Sequence, residues 1–361
     1  MARLGDSLHA VILAGGAGER FWPASRQAFP KPFLKVIGGK SLLATTLTRA
    51  RSFADSERIW VVAGRDHAKA VRAETGLPPR RVLVEPMRRN TAMAIAYAAA
   101  RISSEDSDAV MVVLPADHVI SDGRGFRAAI RKAARAALEA DVLVTLGIEP
   151  KRPDTGMGYI QRGLAVGPAA PGLYRVRRFV EKPSEKTARR YLGTGDYLWN
   201  AGIFAWSVRA ILEELEAHVP DLHRALRPLL GSRRRPSAEQ LRRIYHRAPS
   251  LSIDVAVLER SRRVWTLPVH FHWNDVGTWA SLAEELGVKP GRSRSVAGRL
   301  VECDSGGNLV WSEDRTIALL GVEGFAVIDT PDALLVARLE QSSDVRKVVA
   351  RLKSSGRSEI T

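Results

Sequence analysis

The sequence predicts an α/β protein: a mostly parallel central sheet, followed by a small β-rich C-terminal domain. Three observations predict it. Apolar runs alternate with helical segments as far as Pro150, the pattern of parallel strands joined by right-handed crossovers. The first run, His9 to Leu13, leads into a glycine turn, Leu13-Ala14-Gly15-Gly16-Ala17-Gly18. The tail, from about Ser295 to Leu352, breaks into short β-rich runs separated by glycines and aspartates.

Taken in order, Ser41 to Arg51 reads as a helix, Arg58 to Ala63 as a strand and Arg81 to Val84 as a short strand ending in Glu85-Pro86. An alanine-rich helix, Ala92 to Arg101, opens at Arg89-Asn90-Thr91. Ala109 to Leu114 is apolar throughout, as expected of a strand covered on both faces, and it ends in Pro115-Ala116-Asp117-His118. Phe126 to Ala140 is an amphipathic helix and Val142 to Ile148 a buried strand. Beyond Pro150, a glycine turn (Thr155 to Tyr159) precedes a strand, and Tyr174 to Val180 is a strand ending in Glu181-Lys182-Pro183. Ser184 caps a helix to Leu192, and Leu198-Trp199-Asn200-Ala201-Gly202 follows. Helices come next, interrupted by an exposed linker from Gly231 to Ser237; Ser252 to Ser261 reads as helix and Val264 to Leu267 as strand. A Lys-Pro-Gly-Arg-Ser-Arg-Ser segment after Gly287 reads as a linker, giving a domain over residues 1–287 and another over 295–361. In the tail, Asn308–Trp311, Thr316–Gly321, Phe325–Ile328 and Ala333–Ala337 read as strands before a terminal helix.

Composition narrows the function. With 45% apolar and 26% charged residues the 361-residue chain is ordinary for a globular protein. No window approaches the roughly 18 uninterrupted apolar residues of a membrane span. Met1 to Leu8 holds no long apolar stretch, which argues against a secretory leader. The single Cys303 allows no internal disulfide and argues against a cysteine metal site, so a cytoplasmic location is expected. The net charge of +16 invites a nucleic-acid reading, but the basic residues are dispersed arginines with no recognition motif beside them. A specific nucleic-acid partner is therefore not expected, and some of this charge would serve anionic substrates.

The glycine turn is where the chemistry starts. Gly15, Gly16 and Gly18 let backbone N–H groups approach a polyphosphate, and Arg20 and Lys31 add cations on either side. Walker A is excluded, because Gly18 is followed by Glu19-Arg20 rather than Lys-Ser/Thr. The dinucleotide fingerprint is excluded too, because Phe21 stands where its third glycine belongs. By contrast, Leu-Ala-Gly-Gly-x-Gly-x-Arg followed by Pro-Lys-x-Phe-Leu resembles the sugar-nucleotide pyrophosphorylases. The Phe21-to-Arg26 insert, Phe-Trp-Pro-Ala-Ser-Arg, is most similar to the GDP-mannose pyrophosphorylase branch. The resemblance runs over about residues 9 to 286, with six motifs in the family's order.

That resemblance implies a Rossmann-like nucleotidyltransferase domain, a tail forming a short left-handed β-helix that packs between subunits, and a homodimer. It implies that GTP and mannose 1-phosphate react to GDP-mannose and pyrophosphate with Mg²⁺. Such a transfer joins two anions, so it needs cations and positioning rather than a covalent nucleophile. Arg20 and Lys31 would be catalytic, and Leu13, Ala14, Gly15, Gly16 and Gly18 would cradle the nucleotide. Asp117, at the carboxyl end of a buried strand, would pair with Asp275 to hold the metal. Glu85, Asn90 and Thr91 would form the base pocket, since a carboxylate can accept from both the N1–H and the N2 amine of guanine. Glu181 and Lys182, with Asn200 and Gly158, would meet the sugar phosphate. Another sugar 1-phosphate or nucleotide, or a noncatalytic nucleotide-sugar-binding regulator of the same fold, are the alternatives.

Overall fold

The computed structural model describes residues 7–16 and 18–361. Met1 to Asp6, most of the stretch read above for a leader, and Ala17 of the glycine turn lie outside the described residues. By contacts the chain forms two compact units. The first comprises residues up to Ala14, Thr46–Pro115 and Ile120–His272; the second comprises Gly15–Thr45, Ala116–Val119 and Trp273–Thr361.

The strands in chain order are β1 (Leu8–Ala14), β2 (Ile59–Gly64), β3 (Val82–Glu85), β4 (Val110–Pro115), β5 (Val119–Ile120), β6 (Leu143–Ile148), β7 (Tyr159–Ala165), β8 (Tyr174–Val180), β9 (Tyr197–Ser207) and β10 (Val264–Val269). All but β5 join one nine-stranded sheet in the order β3-β2-β1-β4-β9-β6-β10-β8-β7, which is the core of the first unit. Seven of its strands share one direction, while β9 and β8 run against them. The sheet is thus mostly parallel, with β9 entering between β4 and β6 and pairing antiparallel to both, Val112 opposite Ala205 and Val144 opposite the same residue. β1 and β4 are apolar and buried almost throughout, as strands covered on both faces must be.

The helices that precede the tail are α1 (Leu42–Arg51), α2 (Ala68–Thr75), α3 (Asn90–Ser103), α4 (Gly123–Ala140), α5 (Glu185–Thr194), α6 (Val208–His218), α7 (Pro220–Leu226) and α8 (Ala238–Arg247). α3 is buried from Ala92 to Ile102 because it packs on β1, α6 and α7 at once, and its alanines allow those close approaches. Ser184 caps α5 as expected, its hydroxyl accepting from the Thr187 N–H. The expected helix at Ser252–Ser261 is instead a π-helical turn over Asp254–Leu258. Apolar spacing does not distinguish one extra residue per turn from an α-helix, and such turns are frequent at functional sites.

In the second unit, β11 (Trp273–Asn274) and α9 (Trp279–Glu285) lead to a four-stranded sheet and α10 (Val345–Ser354). The sheet's strands are β12 (Arg294–Cys303), β13 (Leu309–Leu320), β14 (Phe325–Thr330) and β15 (Ala333–Arg338), paired in sequence order. β12, β13 and β14 are parallel, one stacked on the next like rungs, and β15 closes antiparallel. Two readings change here. The segment read as a linker gives way to strand at Arg294, and the runs at 308–311 and 316–321 are one strand. β12 is half-exposed with charged residues along it, so it lacks the apolar run that marks the others.

The core of this unit mixes residues from both ends of the chain. Phe21, Trp22 and Leu34 pack with Trp279, Trp311, Ile328, Leu335, Val345 and Val349. Polar contacts reinforce the packing: the Trp22 indole N–H donates to the Ile360 carbonyl at 2.7 Å, and Lys353 pairs with Glu19 at 2.6 Å. The glycine turn's downstream segment is therefore held by the tail.

Candidate active site

Lys31 opens a 3-10 turn, Lys31–Phe33, between two prolines that fix the backbone. Its side chain is buried, and its ammonium donates to the Asp117 carboxylate at 2.8 Å and to the Asp275 backbone carbonyl at 2.7 Å. Three residues far apart in sequence thus meet at one nitrogen. Burial pushes the Asp117 carboxyl up, but the Lys31 charge and hydrogen bond, with smaller help from His118 and the backbone, outweigh this and hold it below its ordinary value. His118 is held in turn by Trp273, whose indole N–H donates to its Nδ1 at 3.3 Å. Asp275 is followed by Val276 at φ 45, and a β-carbon on Gly277 would lie 2.8 Å from the Asp275 Oδ2. The strained turn and the bare glycine together let that carboxylate fold back over its own loop.

Arg20 lies in the 3-10 turn Glu19–Phe21, capped by Gly18 in the left-handed region at φ 63. Its guanidinium is half-buried and makes no ion pair or hydrogen bond among the described residues, so it is available to an anion. Arg26 is not: it forms a two-pronged pair with Asp332 at 2.6 Å on each prong, and also donates to the Thr330 hydroxyl and the Pro23 carbonyl. Gly15 is exposed, as is Gly16 at φ 99, and a β-carbon at either would meet nothing within 4 Å. Leu13 and Ala14 are the last residues of β1 in the first unit.

The first unit carries two further clusters. In one, Glu85 ends β3 and accepts from the Tyr245 hydroxyl at 3.2 Å, while Arg89 donates to the Tyr245 carbonyl at 2.8 Å. Burial lifts the Glu85 carboxyl to about 7, against the smaller opposing effect of the Tyr245 hydrogen bond. Asn90 holds φ 62, and its side chain accepts from the Thr91 N–H. The Thr91 hydroxyl accepts from the Ile253 N–H at 2.9 Å.

In the other cluster, a β-carbon on Gly158 would lie 2.7 Å from the Glu181 Oε2, so only glycine leaves room for that carboxylate. Lys182, at φ 48, turns its ammonium back to pair with Glu181. The Asn200 oxygen accepts from the Thr145 hydroxyl at 2.9 Å and the Gly202 N–H at 3.1 Å, while its amide donates to Asp254 at 2.9 Å. Asn200 is thus committed to aligning Asp254. Burial, and then the charge of Glu181, raise the Asp254 carboxyl to about 7. Glu259, at the end of the same π turn, accepts from the Glu181 N–H at 2.9 Å.

Sequence reasoning does not single out Asp254, Glu259 or Tyr245. Their signal is thin: one Asp and one Glu on a stretch that reads as an ordinary helix, and a Tyr on an amphipathic one. The structure also joins the two clusters, because Thr91 anchors Ile253 and the next residue, Asp254, is anchored by Asn200. Three of the five non-glycine residues with positive φ among those described, Asn90, Lys182 and Val276, are at or beside candidate positions.

This geometry can bind phosphates at one unit and hydroxyl-rich or base edges at the other. Residues 9–287 match the nucleotidyl transferase family, and residues 298–352 match the MannoseP isomerase/GMP-like beta-helix domain. The chain belongs to the nucleotidyl transferase family. The xanthan biosynthesis protein XanB of Xanthomonas campestris is 39% identical to this nucleotidyl transferase over 97% of the chain and 74% of its own length. A mannose-1-phosphate guanylyltransferase of Escherichia coli is 38% identical over the same shares. The crystal structure of a protein named mannose-1-phosphate geranyltransferase, from Thermus thermophilus, matches with a TM-score of 0.87 and 37% identity. The match covers 96% of this chain and 99% of that one. The fold class expected from the sequence stands, with the β-rich tail belonging to the beta-helix domain family. No helix among the described residues is long and apolar enough to cross a membrane.

The family's chemistry raises the question of a divalent ion. Among the described residues no three His, Cys, Asp or Glu side chains are grouped to cage a metal. Asp117, kept ionised and with one oxygen taken by Lys31, and Asp275 fit a different arrangement. Two hard oxygen donors suit an ion that retains waters and shares substrate phosphates, which is the habit of Mg²⁺.

Proposed function

We propose that this nucleotidyl transferase makes GDP-mannose and pyrophosphate from GTP and α-D-mannose 1-phosphate. An oxygen of the sugar phosphate attacks the α-phosphorus of GTP in line. The new P–O bond forms as the bond to the β-phosphate oxygen breaks, and pyrophosphate departs with the electron pair. The observation that carries the reading is the buried Lys31 ammonium, joined to Asp117 and to the Asp275 loop and packed against Gly18.

Lys31 and the unpaired Arg20 would neutralise the β- and γ-phosphates and the charge that grows on the leaving group. The exposed Gly15 and Gly16, with the end of β1 at Leu13 and Ala14, would cradle the triphosphate. Glu85, once ionised, would accept from both guanine donors, with Asn90 and Thr91 shaping the turn beside it. Gly158, Glu181 and Lys182 would hold the sugar phosphate, and Asp254, aligned by Asn200, would accept from a sugar hydroxyl. Asp117 and Asp275 would hold Mg²⁺, which supplies charge neutralisation on the phosphates. The names and identities of the relatives support mannose and guanine as the two specificities. A cytoplasmic homodimer is part of the same proposal.

The test is to incubate the protein with Mg²⁺, each of the common nucleoside triphosphates and several sugar 1-phosphates, and to quantify pyrophosphate. GTP with mannose 1-phosphate is expected to be the best pair. A clear preference for UTP or dTTP would overturn the guanine assignment. Omitting the divalent ion is expected to abolish release.

A further inference from the structure

β3 is the edge strand of the nine-stranded sheet, and beside it lies a cavity of about 230 Å³ that the proposed reaction does not use. Four arginines line it: Arg65 from the turn before α2, Arg72 from α2, Arg101 from α3, and Arg235 from the segment before α8. Arg65, Arg72 and Arg235 have no acidic partner and no side-chain hydrogen bond among the described residues. Arg101 is buried, and its guanidinium donates to the carbonyls of Ser232, Arg234 and Arg233, which fixes the segment carrying Arg235.

Tyr97 completes the lining. It is 5% exposed, yet its hydroxyl has no hydrogen-bond partner among the described residues. Guanidinium groups that line one hollow without an acidic partner repel each other, and the Tyr97 hydroxyl beside them is a donor with no protein acceptor among the described residues. An anion in the cavity would offset that repulsion and accept from the hydroxyl. The protein groups on offer are donors, three guanidinium forks without an acidic partner and one O–H, so the complementary ligand is rich in acceptor oxygens and negatively charged. The cavity is below the roughly 300–1,000 Å³ of pockets for larger organic ligands, which suits a compact phosphate group.

We propose that this cavity is a second anion site of the protein, one that binds a phosphate group through Arg72, Arg235 and the Tyr97 hydroxyl. None of its lining residues is itself a candidate for nucleotide, sugar or metal binding, although Val84 and Pro86 flank Glu85. Burial holds the Tyr97 hydroxyl protonated to well above neutral pH, against the smaller pull of Arg101 and Arg235, and so keeps it a donor.

The probes are inorganic phosphate and glycerol 3-phosphate, titrated calorimetrically into the full chain at low salt. Arg72→Ala/Arg235→Ala removes two exposed side chains of the site. Arg227→Ala/Arg242→Ala removes the same charge from exposed positions outside it. The expected result is at least a tenfold loss of affinity in the first double variant, less than a twofold change in the second, and about a threefold loss in Tyr97→Phe. Binding of inorganic phosphate alone identifies a free anion, and binding of both probes a phosphomonoester; either outcome, with that pattern of loss, supports the site. Equal losses in both double variants, unchanged affinity in the first, or no saturable binding to the wild type below about 10 mM would overturn it. Circular dichroism of each variant confirms that the comparison is between folded proteins.

Discussion

A β-carbon at position 18 would lie 2.6 Å from the Lys31 Cβ, closer than any real β-carbon contact allows, and 2.7 Å from the Ser25 hydroxyl oxygen. Gly18 is therefore what lets Lys31 pass beneath the turn to reach Asp117. It also holds φ 63, which side chains other than glycine adopt at a cost. Gly18→Ala is expected to destabilise the protein by about 1–3 kcal/mol and to lower kcat by about 100-fold or more, because a small displacement of a charge-stabilising group is costly. Thermal melts and pyrophosphate release measure the two effects.

Lys31→Met would leave Asp117 with its main cation removed. Breaking one member of a buried pair costs about 3–5 kcal/mol, and less is expected here because Asp117 is partly exposed. The activity loss should be about 10²–10³. A pH signature separates this from general unfolding. The Asp117 carboxyl is held below its ordinary 3.8, so the pair contributes stability that is present above that value and is lost as pH falls through the lower folded one. In Lys31→Met the acid limb of the stability curve should move to higher pH, while Asp117→Asn should flatten it.

Glu85 works in the opposite sense. Its carboxyl is raised from 4.5 to about 7, so the folded protein holds a proton there that the unfolded chain has released, and the site's contribution to stability declines as pH rises between those values. The proposed recognition of guanine would need the ionised form. Affinity for GTP is expected to rise as pH increases through about 7, and Glu85→Gln should remove that dependence and weaken the preference for GTP over other triphosphates. The same variant should be more stable than wild type at about pH 8, by about 1–3 kcal/mol.

Asp254 makes a parallel case in the cluster proposed for the sugar phosphate, where its carboxyl is also raised to about 7. Asp254→Asn is expected to raise KM for the sugar phosphate about tenfold with a smaller change in KM for the nucleotide. Asn200→Ala should act in the same direction, since it removes the amide that aligns Asp254. An equal rise in both KM values would instead point to general loosening of the segment that Thr91 and Asn200 jointly hold.

Arg26 tests the tail's grip on the catalytic segment. Asp332→Ala breaks its two-pronged pair, which is partly exposed, so a modest loss of about 1 kcal/mol is expected. A fall in kcat larger than that loss of stability explains would show that the tail positions Arg20 and Lys31. Steady-state rates well below the variant's melting temperature provide the measurement.

Much of the candidate site is legible in the sequence because its residues are neighbours in the chain. Gly15, Gly16, Gly18 and Arg20 share one turn; Glu85, Asn90 and Thr91 share another; Glu181 and Lys182 are neighbours. Spacing and residue type suffice where a ligand is held by consecutive residues. Asp254 is not legible because its significance lies in Asn200, 54 residues away, and in a π turn whose apolar pattern imitates an α-helix. β12 is not legible because a half-exposed strand on stacked parallel rungs does not need the apolar run of a buried one. Likewise Asn200 is expected from sequence to face a hydroxyl, and its partners Thr145, Gly202 and Asp254 are visible only in three dimensions.

By itself the order of residues determined an α/β protein with a glycine turn after its first strand and the charges for phosphate chemistry, because periodicity and short motifs are properties of neighbouring residues. Tertiary structure alone decided that Lys31 takes the Asp117 carboxylate and the Asp275 carbonyl together, that Arg26 is bound to the tail while Arg20 has no partner among the described residues, and that four arginines line one hollow. Those outcomes depend on which distant segments close-packing brings within about 3 Å, the range over which a hydrogen bond or ion pair acts, and no local pattern encodes that distance.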